Sequence, residues 1–356
     1  MAEDLRYTKW TTAQDVADIV MGPTQDTSNM VGPVTAGSVI VTGSNSGIGF
    51  EAALVLRRVG YKVICCARSM AKATATCEKI ESLMASDLAS ERSGSTAPGV
   101  VDLGDLDSVR AFTTSLKDKP VLCLLNNAGI MQLPKFTPSK QGFESQFAVN
   151  FLGPWLLTEL LKPNLRAGAR AMKCPARVVN VSSAAHYSSQ HSMIPEVAKI
   201  GDPAIAREQY TNGWNEYATS KMYQIIHAQH IAETEKGTIA AFSLHPGVIS
   251  TGLNRNAACC TFTRLLYCLP HQLYCCCCCC QGAIRKTKPQ GAAPSVRACI
   301  DPALAPASGS YLHETCHPKA PRLLSSLDPG LLMERCATLC ARASGIGEEY
   351  TDVLPQ

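Results

Sequence analysis

From Ser38 onward, short β-branched runs alternate with longer helical patterns, and no other feature constrains the fold as much. SVIVT is followed by GIGFEAALVLRRVG, then KVICCA, then a Lys/Glu-rich helix starting near Met70. The alternation continues through GVVDL, DLDSVRAFTTSLKD, VLCLLNNA, a helix from about Gln141 to Leu165, RVVNVS, the helix carrying YATSK, and TIAAFSLHP. Such alternation marks an α/β fold: a doubly wound parallel sheet of about seven strands, Rossmann-type, in a single domain. At 356 residues and 46% hydrophobic, the chain can bury the core such a sheet needs.

We place that domain at residues 38–345, after a leader (1–37) with one short helical segment, TTAQDVADIV, and before a tail at 346–356. Ser86 to Pro98, rich in Ser, Ala and Gly, reads as an exposed loop, and His186 to Gly213 as a long insertion. Past Pro246 the regular alternation is lost. An apolar, Cys-rich segment spans Ala257 to Gly282, within a wider stretch (257–288) read as a substrate loop with membrane contact, and a helix is expected from about Leu331 to Arg342.

A formal charge of +4 with 17% charged residues provides no basic field, which argues against a nucleic-acid partner. MAEDLRYTKW has no apolar run of signal-peptide length, so an intracellular, reducing location is expected, either cytoplasmic or peripheral on a membrane facing the cytoplasm. Six of the 18 cysteines are contiguous, Cys275 to Cys280, and neighbours in such a run cannot each reach a disulfide partner. No cysteine or histidine spacing fits zinc, so no metal is expected. LYCCCCCCQGAIRKTK reads equally well as an unmodified loop or as a peripheral anchor, with S-acylated thiols and with Arg285, Lys286 and Lys288 facing anionic head groups. A transmembrane helix fits less well, because Arg264, Pro270 and His271 interrupt the apolar stretch.

TGSNSGIG, Thr42 to Gly49, follows an apolar strand and opens a helix, which is the context of a nucleotide-binding turn. Gly43 allows the tight turn, Gly47 the approach to a pyrophosphate, and Gly49 the packing of helix on strand. After the second strand, where an acid would hold the ribose 2′-hydroxyl of NAD, stands CCARS. Arg68 there can pair with a 2′-phosphate, which favours NADP(H) and leaves NAD(H) as the lesser choice. Asp102 can accept from an adenine amino group or cap a helix. In NEYATSKMYQ, Tyr217 and Lys221 stand four apart on one helix face, which permits a charge-tuned acid but also occurs by chance.

In this order TGSNSGIG, NNAG (Asn126 to Gly129), VNFLG around Asn150, VNVSS (Val179 to Ser183), YATSK and HPGVIST resemble the short-chain dehydrogenase/reductase family, in the branch that includes retinol dehydrogenases. The resemblance implies that Tyr217 is the general acid/base and that Ser183, rather than Ser182, steadies the substrate oxygen. It further implies that Lys221 holds the nicotinamide ribose and that Asn150 fixes a relay water. A free tyrosine ionises near pH 10, and Lys221 is expected to lower that value. Cofactor contacts are implied for Ser46, Ile48, Asn127, Ala128, Gly129, Pro246, Gly247, Val248 and Thr251, beside Gly43, Gly47, Gly49, Arg68, Asp102, Tyr217 and Lys221. One departure is the spacing of 34 positions from Ser183 to Tyr217, which exceeds the family's usual spacing.

The expected activity is hydride exchange between NADP(H) and a carbonyl/alcohol pair on a lipophilic small molecule, retinoid-, steroid- or fatty-aldehyde-like. The apolar residues Phe262, Leu265, Leu266, Tyr267 and Leu269 would close over it. The rival is a non-catalytic dinucleotide-binding scaffold that reports redox state to a protein partner. Loss of a catalytic residue would mark that reading, and none is lost. The chain is also compatible with a homo-oligomer.

Overall fold

The computed structural model describes residues 6–8, 10–22, 35–85, 94–189, 197–249, 253, 286–314, 317–319 and 327–343. Within them one sheet carries strands β1 (Ser38–Thr42), β2 (Lys62–Ala67), β3 (Ser95–Val100), β4 (Val121–Asn126), β5 (Ala176–Val181), β6 (Ile239–His245), β7 (Tyr311–His313) and β8 (His317–Lys319). Their order is β3-β2-β1-β4-β5-β6-β7-β8, with β1 to β7 parallel and only β8 antiparallel. This is the doubly wound sheet that the alternation implies. β1, β4, β5 and β6 are buried along their whole length, because helices cover both faces, so they read as continuous apolar runs rather than period-two patterns.

The helices are α1 (Ala13–Met21), α2 (Gly47–Arg58), α3 (Met70–Ala85), α4 (Leu106–Ser115), the short turn α5 (Ser145–Phe147), α6 (Gly153–Met172), α7 (Pro203–Glu208), α8 (Trp214–Thr234), α9 (Lys288–Ile300) and α10 (Pro329–Ala343). The strand order reverses direction between β1 and β4, and the crevice at their carboxyl ends is where open α/β sheets take ligands. Val41 pairs with Leu125 there, which brings the turn after Thr42 alongside Asn126 and Asn127.

Three expectations need correction. Ser95 to Pro98 belong to β3 and not to an exposed loop, so this strand starts before GVVDL. Pro98 is tolerated because β3 is the edge strand and its missing N–H costs no central ladder bond. The stretch from Gln141 to Leu165 is not one helix, since a π-turn over Ala148–Leu152 separates α5 from α6. The alternation also resumes after residue 285, where α9 leads to β7 and the chain rejoins the sheet beside β6. A capping box, Thr287 with Gln290, starts α9, and Pro289 at its first turn is conformationally suited to that place. Within the leader the expected short helix forms: α1 starts with the capping box Thr12/Asp15, packs on α2 and α9, and adds Val16, Ala17 and Met21 to the common core. Tyr7 fastens the segment before it, donating to Asp301 at 3.1 Å with its ring 3.8 Å from the Arg297 guanidinium.

Candidate active site

The carboxyl ends of β1 and β4 are joined by Thr42. Its Oγ1 accepts from the Asn127 and Ala128 amides at 2.9 and 3.0 Å and donates to Leu125 O. The Asn127 amide Nδ2 donates back to Thr42 O at 2.8 Å, closing the turn onto itself. Asn126 faces the other way, donating to Asn180 Oδ1 at 3.0 Å and to Thr158, so two adjacent asparagines tie β4 to different neighbours. Gly43 has φ +64°, and a Cβ there would lie 2.9 Å from Ala128 Cα, so both conformation and space require glycine. Ser46 precedes α2 without a side-chain cap, and the first turn holds no acid. The free N–H groups of Gly47, Ile48 and Gly49 are thus left to an anion, as a pyrophosphate site requires. The side chain of Ile48 packs towards α9, where a Cβ on Gly291 would come within 3.0 Å of it.

Arg68 stands exposed one residue beyond β2, and no hydrogen bond holds it among the described residues. Asp102 is partly committed: Oδ1 accepts from Gly104 N at 2.9 Å and its amide donates to Ser108 Oγ, so it shapes the turn before α4. The donor set therefore fits a dinucleotide phosphate chain at α2 and leaves a guanidinium beside it.

On α8, Tyr217 and Lys221 share a buried face, 4% and 3% exposed. Lys221 Nζ donates to Val181 O at 2.8 Å and to Gln224 Oε1 at 3.1 Å. An ammonium has three N–H groups, so one is left for a ligand. Gln224 Nε2 in turn donates to Asn150 O at 2.6 Å. That carbonyl is available because Asn150 sits in the π-turn, where the helical ladder is broken. The Asn150 side chain accepts from Ile130 N at 2.8 Å and donates to Ile130 O and to Ser220 Oγ. Ser220 donates to Tyr217 O. Gly129 lines the same spot: a Cβ on it would meet Asn150 Oδ1 at 3.3 Å and Lys221 Nζ at 3.5 Å.

The two serines after β5 part ways. Ser182 turns inward and donates to Lys221 O at 2.6 Å, whereas Ser183 caps the 3-10 turn Ala184–Ser188 and lies within hydrogen-bonding reach of Tyr217. Two buried histidines fix the backbone behind it: His186 Nδ1 lies 2.6 Å from Ser183 O, and His245 Nδ1 accepts from Ala184 N at 3.1 Å. Sequence reading missed Gln224, Ser220, His186 and His245. Gln224, three residues after Lys221 on the same face, offered a signal. The histidines offered none, since their role depends on which strand end they reach.

The titration of the pair differs from expectation. Burial pushes Tyr217 up to about 12, with a hydrogen bond from Ser183 pulling it back, and burial pushes Lys221 down to about 7. The phenol is thus not lowered by its neighbour. Lys221 lies over the ring, 5.6 Å from its centroid, and its own charge is only partly retained at neutral pH.

After β6, Gly247 (φ +91°) passes the stem of the buried Lys286, whose amide donates to Val248 O at 2.9 Å. Pro246 is half-buried and Val248 exposed at 52%. Thr251, the Phe262 to Leu269 segment and Cys275 to Cys280 lie outside the described residues. Among the described residues no helix is long and apolar enough to cross a membrane.

This sheet, with an anion-ready helix at its switch point and a buried Tyr/Lys pair beside it, defines a Rossmann-type oxidoreductase. A family model described as short chain dehydrogenase matches residues 38–195. Retinol dehydrogenase 12 of Bos taurus is 31% identical over 279 residues, covering 78% of this chain and 77% of that protein. Short-chain dehydrogenase TIC 32 B, chloroplastic, of Brassica napus is 32% identical over 280 residues, covering 77% and 79%. Among solved structures, a gluconate 5-dehydrogenase from Burkholderia cenocepacia in complex with NADP and tartrate superposes with TM-score 0.56 at 18% identity, over 83% of this chain and 94% of that one. The chain belongs to the short-chain dehydrogenase family, in its retinol-dehydrogenase-like branch.

Proposed function

We propose that the protein transfers hydride between NADP(H) and a carbonyl/alcohol pair on a lipophilic small molecule. The observation that carries this reading is the buried Tyr217/Lys221 pair and the buried groups that hold it: Ser220 on the Tyr217 backbone carbonyl, Asn150 on Ser220, and Gln224 between the Asn150 carbonyl and Lys221 Nζ. A bound nicotinamide supplies or accepts the hydride. Tyr217 moves the proton at the substrate oxygen, and Ser183 donates a hydrogen bond to the same oxygen as charge develops on it. The remaining N–H of Lys221 holds the ribose hydroxyls. Its charge is stabilised when polar groups replace the apolar surroundings that now depress it.

Asn150 Nδ2 gives both its N–H groups to Ile130 O and Ser220 Oγ, whereas Oδ1 accepts one bond among the described residues, from Ile130 N, and keeps a lone pair with which it would hold a relay water. NADP(H) is favoured by Arg68, a free guanidinium at the end of β2, and the lipophilic substrate by the apolar segment after Thr251. Peripheral membrane contact through Cys275 to Cys280 and homo-oligomer formation remain part of this proposal. The test is oxidation of NADPH and NADH followed by absorbance with retinoid, steroid and fatty aldehyde or ketone substrates. Turnover with NADPH and a lipophilic carbonyl is expected. Activity confined to NADH, or to small hydrophilic carbonyls, overturns it.

A further inference from the structure

The opposite side of α8 from Lys221 faces a cleft of about 90 Å³, roofed by the insertion that separates Ser183 from Tyr217. Glu216, Thr219, Ser220 and Tyr223 form its α8 wall at helical spacing, and Glu144, the N-cap of α5, closes the floor. Ile205 of α7 stands on the other wall. Of the charged side chains lining it, Glu144, Asp202 and Glu216 are acids and Lys199 alone is a base, so the cleft favours a cation.

Polar atoms lining the cleft lack donors among the described residues. Glu144, 3% exposed, accepts from Phe147 N with Oε2, while its Oε1 has no hydrogen-bond partner among the described residues. The same is true of Thr219 Oγ1, on a residue 9% exposed, and of Asn215 Oδ1 and Glu216 Oε2. Buried acceptors without donors each cost on the order of 1–3 kcal/mol, so four around one cleft point to a donor-bearing occupant. Burial holds Glu144 up to about 7, as expected of a carboxylate without its counter-ion. Metal ions are a poor match, because no group of three or more His, Cys, Asp or Glu among the described residues is arranged to hold one.

We propose that this cleft binds the ammonium end of a small organic amine, with Glu144 and Thr219 receiving its N–H groups and Phe147, Ile205 and Tyr223 packing its alkyl part. The site is separate from the proposed reaction centre and does not depend on that reading. It nonetheless abuts it, since Ser220 in its wall is the residue that holds Asn150.

Calorimetric titration of the full chain with hexylammonium chloride at pH 8, above the value of about 7 to which burial raises Glu144, tests this. Saturable one-site binding is expected, with 1-hexanol at least about tenfold weaker, the range for losing one charge-assisted hydrogen bond. Glu144→Gln should weaken hexylammonium about tenfold and Thr219→Val several-fold, and Ile205→Trp, which fills the cleft, should abolish binding. Because Glu144 also caps α5, Thr219→Val and Ile205→Trp decide the matter if Glu144→Gln fails to fold. Absence of saturable binding, equal affinity for hexanol, displacement of hexylammonium by magnesium chloride, or unchanged binding in the folded variants overturns the proposal.

Discussion

The glycine turn after β1 and the network around α8 lie at the same end of one sheet, yet they are built on opposite principles. The turn is a matter of backbone: Gly43 at φ +64°, free amides at the start of α2, and a threonine hydroxyl that pins two amides of the β4 loop. The α8 network is a matter of buried side chains whose charged forms are penalised, with Lys221 lowered to about 7 and Tyr217 raised to about 12. A backbone site is ready before its ligand arrives. A buried-charge site is completed by the ligand, because only then are its ionised forms solvated by polar partners.

The largest way to break this contrast is to remove the phenol. Tyr217→Phe should lower turnover by at least about 10²-fold while leaving NADPH affinity, which depends on the turn, almost unchanged. Measuring kcat together with the NADPH dissociation constant checks both halves. A comparable loss of affinity would mean that the two regions are not separable.

The complementary change acts on the cofactor end. Arg68→Asp should weaken NADPH by roughly 10- to 100-fold, the range for a charge-assisted pair, and NADH by little. Equal losses for both cofactors would assign Arg68 to folding. The mutation touches a side chain that makes no hydrogen bond among the described residues, so thermal stability should stay within about 0.5 kcal/mol of the parent, as for ordinary surface substitutions.

These two regions also differ in how much of them could be read from the chain. The turn was legible because strand, glycine spacing and helix start are contiguous, and the Tyr217/Lys221 pair because a helix brings fourth neighbours together. The link between them was not. Gln224 matters only because the π-turn at Ala148–Leu152 frees the Asn150 carbonyl, a break in hydrogen bonding that periodicity does not register. The start of β3 escaped because Ser86 to Pro98 is rich in Ser, Ala and Gly and looks like a loop, and only edge placement excuses the proline. α9 escaped because Gly291 and Pro294 are poor helix formers, and packing against α1 and α2 overrides their propensity.

A finer test of the buried network is Gln224→Leu, which is close in volume but leaves Lys221 with one fewer acceptor and Asn150 O without its donor. Turnover should fall about tenfold, with a shift of its pH profile, since the titration of Lys221 is set by its surroundings. Gln224→Glu should restore part of the loss by favouring charged Lys221. A Leu variant with parental turnover and pH profile would show that Gln224 does not tune Lys221.

The smallest effect concerns stability, and it falls on the histidines behind the site. Burial lowers both His227 and His245 from 6.5 to about 3, and His245 accepts from Ala184 N through a nitrogen that must stay unprotonated. Between pH 6.5 and 3 the unfolded chain therefore binds protons that the folded chain refuses. The histidine contribution is complete above pH 6.5 and is lost as pH falls, by about 1 kcal/mol per pH unit for each imidazole. Lys221 acts with the same sign at higher pH: its folded value near 7 lies below the unfolded 10.5, so stability rises from pH 7 towards 10.5 as the unfolded chain gives up its proton. Urea unfolding at pH 5.5, 6.5 and 7.5 should thus show a monotonic rise in midpoint. His227→Gln should reduce the acid slope, and Lys221→Met should flatten the limb above pH 7. A midpoint independent of pH across this window would mean that these side chains are not buried in their uncharged forms, and the contrast between a preformed backbone turn and a buried-charge network would lose its physical basis.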